Sequence, residues 1–360
     1  MMQRMKTMTR VIIKRCPDYS QVKAKLQESF ESLHIESLFT RGEKVLLKPN
    51  LLTGRNPEAG VTTHPSFLAA VIELFQDMGL NLVIGDSPAN GNTQKAAAKS
   101  GIEEVCKKYG VKLVTFSDPQ KLKNTNNTLK EFRVAKQVLE ADSLVNLPKL
   151  KTHSLMTLTL AVKNTFGCIV GSEKQIWHVK AITRERFANM LIELHRLLNP
   201  KLNILDGVIG MHGNGPSNGK VANYEIVAVS ESGFALDDAI ARLYEIPIEM
   251  VPTIFFAKKL GLTPAYEIQG DSPAVIDFKL PDGIRPINRP SLFSKLLSRI
   301  PTIDKNKCVN CGECAEHCPV SAISVALKKI DYSKCIRCYV CHEVCQYDAI
   351  KLKRKLILQG

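Results

Sequence analysis

Long apolar runs are absent from this 360-residue sequence, although 44% of its residues are hydrophobic. No stretch approaches the ~18 consecutive apolar residues that a membrane-spanning helix requires. Residues 1–16 alternate charges with short apolar patches, unlike the apolar core of a signal peptide. We therefore expect no membrane span and a cytoplasmic, reducing location. A chain of this length can bury a large core and should form two or more domains.

Aromatic residues and negative charge are also scarce. Phe, Trp and Tyr make up 6% of the chain, and no nucleic-acid recognition motif is present, so we expect no nucleic-acid partner. Lys and Arg number 49 against 35 Asp and Glu, which gives a formal net charge of +14. This excess would suit steering of an acidic electron carrier or an anionic substrate. A solvated, lysine-rich surface is the simpler explanation.

Eight of the 11 cysteines lie in two matching runs near the end of the chain. Both runs read C-x2-C-x2-C-x3-C; the first begins at Cys308 and the second at Cys335, 27 residues later. Three cysteines at two-residue intervals can bind three corners of one iron–sulfur cube, and the fourth corner needs a ligand from elsewhere. A zinc ribbon would need paired C-x2-C knuckles, and a disulfide scaffold would need an oxidising compartment. The spacing predicts two 4Fe-4S clusters.

This segment closely resembles the bacterial-type ferredoxins, in which the fourth cysteine of each run ligates the other cluster. The resemblance implies one cluster on Cys308, Cys311, Cys314 and Cys345, and a second on Cys335, Cys338, Cys341 and Cys318. Two such sites, each with a net charge of about −2, would lower the formal charge of the chain from +14 to +10. The segment from Asp304 onward is then near neutral, so the positive excess lies in the preceding residues.

Before residue 282, predicted strands alternate with predicted helices. The strands are expected at 11–16, 45–50, 81–86, 111–116, 143–149, 202–207, 224–230 and 275–280, and the helices at 19–38, 63–78, 93–109, 155–162, 184–198, 234–244 and 254–260. This order favours an α/β fold with a mostly parallel, doubly wound sheet and helices on both faces. We place the α/β domain at 1–281, a linker at 282–303 and a small α+β ferredoxin-like domain at 304–360.

Polar residues follow the carboxyl ends of several predicted strands. These ends converge on one edge of a parallel sheet, where open α/β folds bind ligands. The candidates gathered there are Lys48, Asn50, Asp86, Ser87, Lys149, Lys151 and His153. A glycine-rich loop, Gly210–Gly219, would offer an anion-binding nest of backbone amides beside Asp206. It precedes a strand and so is not a dinucleotide fingerprint, and a hairpin-like connection explains it as well.

Six segments within residues 10–250 resemble the family catalogued as domain of unknown function 362. They are Lys48-Pro49-Asn50, Thr63-His64-Pro65, Gly85-Asp86-Ser87-Pro88, Leu147–His153, Ala161–Gly167 and Asp206-Gly207. Members often carry a ferredoxin segment like this one, and the family's activity is unassigned. The order of His153, Lys163 and Gly167 is also distantly similar to the amino-terminal domain of nickel-dependent lactate racemase, from which we transfer no cofactor.

Four residues are predicted to be catalytic: Lys48, Asp86, His153 and Lys163. His153 lies outside any apolar periodicity, which suits a ligand or acid–base role as well as a surface position. Lys163 ends an apolar run; if buried, its amine must pair or shift its pKa, as substrate anchoring or Schiff-base chemistry requires, and otherwise it extends to solvent. Asp86 and Asp206 each end a strand, where carboxylates bind metals or substrates, or cap helices.

Three further segments are candidates for the functional site, although a structural role explains the first two about as well. His64 precedes a proline at a helix start, where it would serve as the N-cap. Cys168 would be a ligand or nucleophile, or an inert core thiol. Trp177-His178 lies in a polar stretch and is a candidate lid segment.

The combined pattern predicts an oxidoreductase. A soluble donor would reduce the clusters, which would pass single low-potential electrons to an anionic substrate or an unidentified centre near the four catalytic candidates. No flavin, haem or nicotinamide motif accompanies them. One alternative is an electron-transfer or scaffold protein that docks a redox partner, and it predicts no small-molecule pocket. A second is a non-redox isomerase or lyase whose clusters are structural or sensory.

Overall fold

The computed structural model describes residues 8–89, 92–124, 129–273, 277–288 and 299–354. The strands are β1 (Thr9–Arg15), β2 (Lys44–Pro49), β3 (Asn81–Asp86), β4 (Lys112–Thr115), β5 (Pro119–Lys123), β6 (Glu131–Ala135), β7 (Ser143–Leu147), β8 (Lys149–His153), β9 (Thr157–Thr159), β10 (Leu202–His212), β11 (Lys220–Ser230), β12 (Tyr266–Gly270), β13 (Arg299–Ile303), β14 (Ile323–Ser324), β15 (Lys329–Ile330) and β16 (Ile350–Arg354).

The helices are α1 (Val22–Leu33), α2 (Pro65–Asp77), α3 (Thr93–Lys99), α4 (Ile102–Lys108), α5 (Lys136–Leu139), α6 (Ala161–Asn164), α7 (Ser172–Lys180), α8 (Arg184–Leu198), α9 (Gly233–Leu243), α10 (Pro252–Lys259), α11 (Glu313–Glu316) and α12 (Val340–Val344). None of the helices within the described residues is long and apolar enough to cross a membrane.

A ten-stranded sheet forms the centre of the α/β part. Its order is β12-β1-β11-β10-β7-β2-β3-β4, and β8, with β9 beside it, also pairs with β10. The pairs among β10, β7, β2, β3 and β4 are parallel, as are β1–β12 and β8–β10, whereas β1–β11, β11–β10 and β8–β9 are antiparallel. The predicted mostly parallel α/β sheet is confirmed.

Alternating residues of the sheet contribute to separate cores, as strand geometry requires. Ile12, Val227 and Val229 pack with α1 and α2 on one face. Val11 and Ile13 pack with α9 on the opposite face, together with Ile226 and Ala228. Helices therefore cover both faces, and the predicted doubly wound arrangement positions the carboxyl ends of β2, β3 and β7 along one edge.

The predicted helix at 155–162 is wrong for most of its length. Thr157–Thr159 forms β9, paired with β8, and only Ala161–Asn164 is α-helical. The leucines fit helical spacing because residues 156–162 are buried all round, and periodicity cannot separate helix from strand in a short buried run. The helix predicted at 93–109 is divided at Gly101, whose φ of +74° is left-handed.

Three other differences concern strands. The hairpin β5–β6 lies between the strands predicted at 111–116 and 143–149, where no strand was predicted, and residues 125–128 between its strands lie outside the described residues. The last strand of the large sheet is β12, whereas no strand is present at 277–280, and 275–276 of that prediction lie outside the described residues. In the segment predicted as a linker, β13 pairs with β16 of the ferredoxin part.

Candidate functional site

A cavity of about 560 Å³ lies at the carboxyl edge of the sheet, between the α/β part and the ferredoxin part. Six of the seven sheet-edge candidates line it, all except Lys149. The four predicted catalytic residues, Lys48, Asp86, His153 and Lys163, are all among its walls. The ferredoxin part contributes Glu316, His317, Val340 and Glu343.

An ion pair between Lys48 and Asp86 forms one wall. Lys48 Nζ lies 2.9 Å from Asp86 Oδ1, and the side chains are 1% and 5% exposed. The other carboxylate oxygen, Oδ2, accepts a hydrogen bond from Leu51 N at 2.7 Å. A Cβ on Gly167 would stand 2.1 Å from Asp86 Oδ1 and 2.7 Å from Lys48 Nζ, so only glycine allows the backbone to approach the pair this closely.

A continuous line of buried amide hydrogen bonds leads away from the cavity. Lys151 Nζ donates to Asn50 Oδ1 at 2.8 Å, and Asn50 Nδ2 donates to Asn164 Oδ1 at 2.8 Å. Asn164 Nδ2 donates to Asn146 Oδ1 at 2.8 Å, and Asn146 Nδ2 to Asn203 Oδ1 at 2.9 Å. Each amide is both donor and acceptor, so the line fixes the orientation of every member and of the Lys151 amine. Sequence reasoning missed Asn146 and Asn203, which read as ordinary strand residues.

His153 and Glu343 meet across the boundary between the two parts of the chain. His153 Nε2 lies 2.7 Å from Glu343 Oε1, although neither atom is aligned for a hydrogen bond. The other ring nitrogen, Nδ1, accepts from Leu155 N at 3.0 Å and Met156 N at 3.2 Å. Burial, reinforced by the nearby Lys163, lowers the pKa of His153 to about 4. The imidazole is therefore neutral near pH 7, with its proton on Nε2 toward the carboxylate.

Three more side chains give the cavity its cationic and aromatic character. Among the described residues, the Lys163 amine has no hydrogen bond or ion pair, and burial lowers its pKa. Lys174 Nζ donates to the Ser87 carbonyl oxygen, and burial lowers its pKa to about 8. His178 stacks on Phe187 with ring centroids 4.7 Å apart. The Trp177-His178 segment thus supplies one wall residue, and Lys174, which sequence reasoning missed, lies one turn earlier in α7.

Lys149, Asp206, Tyr19 and His64 form a separate buried cluster that does not line the cavity. Lys149 Nζ lies 2.7 Å from Asp206 Oδ2, and Tyr19 OH donates to Asp206 Oδ1 at 3.1 Å. His64 stacks on Tyr19, and its Nδ1 accepts from Ser66 N at 3.1 Å. His64 is the N-cap of α2, which is the structural role that its position before Pro65 predicts.

Cys168 is also outside the cavity. It is buried in a hydrophobic cluster, and burial raises the pKa of its thiol to about 12. A thiol protonated at all physiological pH values is an inert core residue.

The eight ferredoxin cysteines fall into two groups around two small cavities. One cavity is lined by Cys308, Cys311, Cys314 and Cys345, and the other by Cys318, Cys335, Cys338 and Cys341. These are the sets that crossed ligation requires. Ala349 N donates to Cys345 Sγ at 3.3 Å and Ala322 N to Cys318 Sγ at 3.2 Å, contacts of the kind that tune cluster potentials. Across the described residues no three His, Cys, Asp or Glu side chains converge on a single metal ion.

The glycine-rich loop docks the ferredoxin part against the cavity. Ser217 Oγ donates to the Glu343 carbonyl oxygen at 2.7 Å. Arg55 Nη2 donates to the Cys345 carbonyl oxygen at 3.3 Å and to Asn218 Oδ1 at 3.2 Å. The predicted anion nest is thus a contact surface for α12, the helix that carries Glu343.

Comparison with known proteins agrees with this architecture. The family model described as Domain of unknown function (DUF362) matches residues 45–242, more than half of the chain. The protein belongs to this family. The 4Fe-4S binding domain matches residues 301–324 and 328–351, so this member of the DUF362 family is an iron–sulfur protein with two 4Fe-4S clusters.

Two individual proteins are similar to this DUF362 member. The thylakoid-associated protein sll1697 of Synechocystis sp. is 35% identical over 254 residues, which cover 69% of this chain and 79% of the relative. The lactate racemase apoprotein from Thermoanaerobacterium thermosaccharolyticum aligns with a TM-score of 0.40 and 14% identity, covering 68% of this chain. The chain spans 58% of that racemase, and the likeness is too low to carry an argument.

Proposed function

We propose that the protein is an oxidoreductase whose two clusters pass electrons to an anionic substrate held in the cavity. One observation carries the proposal: the cavity walls on the ferredoxin side come from between the cluster cysteines. Glu316 and His317 lie between Cys314 and Cys318, and Val340 and Glu343 lie between Cys338 and Cys345. A substrate touching these residues is separated from each cluster by little more than one ligand loop.

The burial of the cysteines suggests a direction for the electrons. Each group contains one buried cysteine, Cys345 in the first and Cys341 in the second, but Cys311 of the first group is exposed and no cysteine of the second group is. A soluble one-electron donor would therefore meet the first cluster at the surface. Each cluster accepts one electron, so two reduced clusters supply the two electrons of an ordinary organic reduction. The two protons would come from the Lys163 and Lys174 ammonium groups, whose lowered pKa values make them ready donors.

The cavity disfavours the scaffold alternative, which predicts no small-molecule pocket. An isomerase or lyase would also need this cavity. It differs from the proposed oxidoreductase in that its clusters would be structural or sensory and would not supply electrons. A cytoplasmic location, in which thiolates stay reduced, suits the eight cysteines.

The test is anaerobic single turnover. The holoprotein is reduced with dithionite, desalted and mixed with an anion-exchange fraction of small metabolites, and cluster absorbance and EPR report reoxidation. We expect two electrons per chain to be consumed, with Lys163→Met reducible by dithionite but at least tenfold slower in reoxidation, a loss of about 1.4 kcal/mol or more.

Lys180→Met is the matched control, because Lys180 lies on α7 outside the cavity. Reoxidation that is equally fast in Lys163→Met would place the reaction elsewhere. A folded Cys338→Ser variant that still converts a substrate would assign the clusters a structural role and favour the non-redox alternative.

A further inference from the structure

The charged side chains in the cavity walls do not balance. Among the described residues these walls contain four lysines, the buried Lys48 and Lys151 and the half-buried Lys163 and Lys174, and two buried carboxylates, Asp86 and Glu343. The remaining wall carboxylate, Glu316, is exposed to solvent. With His153 neutral, protonated lysines would leave two more positive than negative charges in the side chains of the walls. The clusters add about −2 each, but no cluster cysteine lines the cavity, so their charge is not in contact with these amines.

Among the described residues, Lys151, Lys163 and Lys174 form no ion pair, although Glu343 and Asp86 are near enough to attract them. Lys48 is paired with Asp86, and Glu343 is closest to the neutral His153. Lys151 Nζ donates to Asn50 Oδ1 and to the Val61 carbonyl oxygen, both uncharged. An ammonium that is removed from water without a paired anion is costly. The resulting desolvation lowers the pKa of the buried Lys151 and of the half-buried Lys163 and Lys174.

Several buried polar atoms in the same walls have no hydrogen-bond partner. Within the described residues they are Thr159 Oγ1, His178 Nδ1 and His317 Nε2. His153 Nε2 and Glu343 Oε1 make no aligned hydrogen bond either, but they lie 2.7 Å from each other. Buried polar groups are satisfied in the great majority of cases, so unsatisfied atoms around one cavity indicate a missing polar ligand. The Glu343 carboxylate can only accept, so a ligand group that lies against it must supply an O–H or N–H donor.

An uncapped helix start adds a further donor surface. Gly171 and Ser172, at the N-terminus of the nine-residue α7, line the cavity, and no side chain caps this end. Glu173 N and Lys174 N donate to the carbonyl oxygens of Val170 and Gly171 at 3.3 Å, so the donors left for a ligand are those of Gly171 and Ser172, and N–H groups at a helix N-terminus favour an anion. Lys163 and Lys174 thus share the cavity with backbone donors suited to the same kind of ligand.

We propose that the cavity binds a small organic dianion that also carries a hydroxyl or amine group. Its two negative charges lie against Lys163 and Lys174, and its donor faces Glu343. The inference rests on the proposed function only in treating this dianion as the substrate; the binding itself follows from the cavity. The shared chemistry fits a hydroxylated dicarboxylate or a phosphate monoester, and the experiment separates them.

Binding is measured anaerobically by isothermal titration calorimetry on the cluster-loaded, oxidised protein, with no electron donor. The probes are malate, succinate, butyrate and glycerol 3-phosphate. We expect succinate to bind at least tenfold tighter than butyrate, about 1.4 kcal/mol, and malate tighter than succinate because of its hydroxyl. Repeating the titration in buffers of different ionisation enthalpy should show net proton uptake, since a nearby anion raises a lysine pKa. Glycerol 3-phosphate binding more tightly than malate would identify the phosphate class.

The variants locate the site. Lys163→Met and Lys174→Met should each weaken the tighter dianion at least tenfold, whereas Lys180→Met should leave it unchanged. Butyrate binding as tightly as succinate, equal losses in Lys180→Met, or no dianion binding at about 10 mM would each overturn the proposal. Because no electrons are transferred, this result stands apart from the turnover test: a dianion that binds but does not reoxidise the clusters would sink the proposed function alone.

Discussion

Lys48 and Asp86 show how much a single buried contact determines in this site. The pair is almost inaccessible to water and stands against the backbone of Gly167. Desolvating two charges offsets much of their attraction, so such a pair contributes little net stability, yet losing one partner leaves the other charge buried and alone. The pair therefore serves to hold the cavity wall in one arrangement.

Replacing one partner should be far more harmful than replacing both. We expect Lys48→Met to destabilise the α/β part by about 3–5 kcal/mol, and Lys48→Met combined with Asp86→Leu to recover part of that loss. Thermal unfolding followed by circular dichroism measures both. Lys44→Met, at the exposed start of the same strand, is the control and should change little; a double variant less stable than the single variant would contradict the argument.

Lys174 predicts a pH dependence of anion binding. Its pKa is lowered to about 8 by burial, and the charged or titratable groups around it are Asp86, Lys48, Cys168 and Lys163. Since only the protonated amine attracts an anion, affinity for the dianion should be full below pH 8 and fall by up to about tenfold per unit above it. Titrations between pH 7 and 10 test this. Lys174→Arg, which stays charged, should remove that fall, and an unchanged profile would assign it to another group.

The sequence identified about half of the cavity's charged groups. Lys48 and Asp86 lie at the carboxyl ends of β2 and β3, and Lys151 lies in β8, just beyond β7. Their meeting could be anticipated because parallel strands end at one edge of a sheet. Lys174 and Glu343 could not, since the first lies in an unremarkable polar stretch and the second is brought to His153 from 190 residues away. No local pattern encodes a contact between two domains.

At the scale of elements, the short helix α6 depends on a side chain from another helix. Asp237 of α9 accepts hydrogen bonds from Ala161 N at 2.7 Å and from Val162 N at 3.1 Å. These bonds satisfy two free donors at the start of α6. A distant carboxylate thereby fixes the turn that carries Lys163 into the cavity.

Removing this carboxylate should loosen the cavity as well as the fold. Asp237→Ala leaves two buried N–H groups without partners, each worth about 1–3 kcal/mol, and we expect weaker dianion binding by calorimetry. Ser232→Ala is the matched control, because Ser232 caps the same helix α9 through Ala235 N and its loss costs about 1 kcal/mol without touching α6. Equal losses of affinity in the two variants would mean that general destabilisation, not the position of Lys163, is responsible.

Helices and strands were predicted correctly where one face of the segment is exposed to solvent. The prediction failed where the segment is buried on all sides. The amphipathic α8 was predicted at 184–198, its observed bounds. The run from Met156 to Val162 is buried on all sides, so its apolar spacing carries no information about helix or strand. Hydrogen bonds made with β8 and Asp237 decide its structure.

At the scale of the whole molecule, the two cysteine groups differ in access to solvent. Cys311 is exposed, whereas no cysteine of the second group is. Cluster damage follows exposure, so brief treatment with air should degrade the first cluster before the second. Iodoacetamide labelling with peptide mapping should find Cys311 modified before Cys335 and Cys338. The reverse order, or simultaneous labelling, would contradict the proposed ligand groups or their relative exposure.

Two domains could be foreseen from the cysteine runs and the strand–helix alternation, but not the cavity between them. That cavity depends on Ser217, Asn218 and Arg55 docking α12. Ser217 and Asn218 belong to the loop Gly210–Gly219, whose sequence suggested an anion-binding nest. Glycine-rich loops have several structural uses, so the sequence alone does not reveal this docking role.

The position of α12 also bears on how the protein matures. Cys341 lies in the first turn of this helix and Cys345 follows its last residue; the two belong to different cysteine groups, and the helix carries the cavity residues Val340 and Glu343. With crossed ligation, both clusters must be inserted before α12 is held at its two ends. Ligand binding would then depend on iron supply. A chain made during iron starvation would have a folded sheet, but the cavity wall formed by α12 would not be in place. Such a chain could not bind its ligand before it could receive electrons.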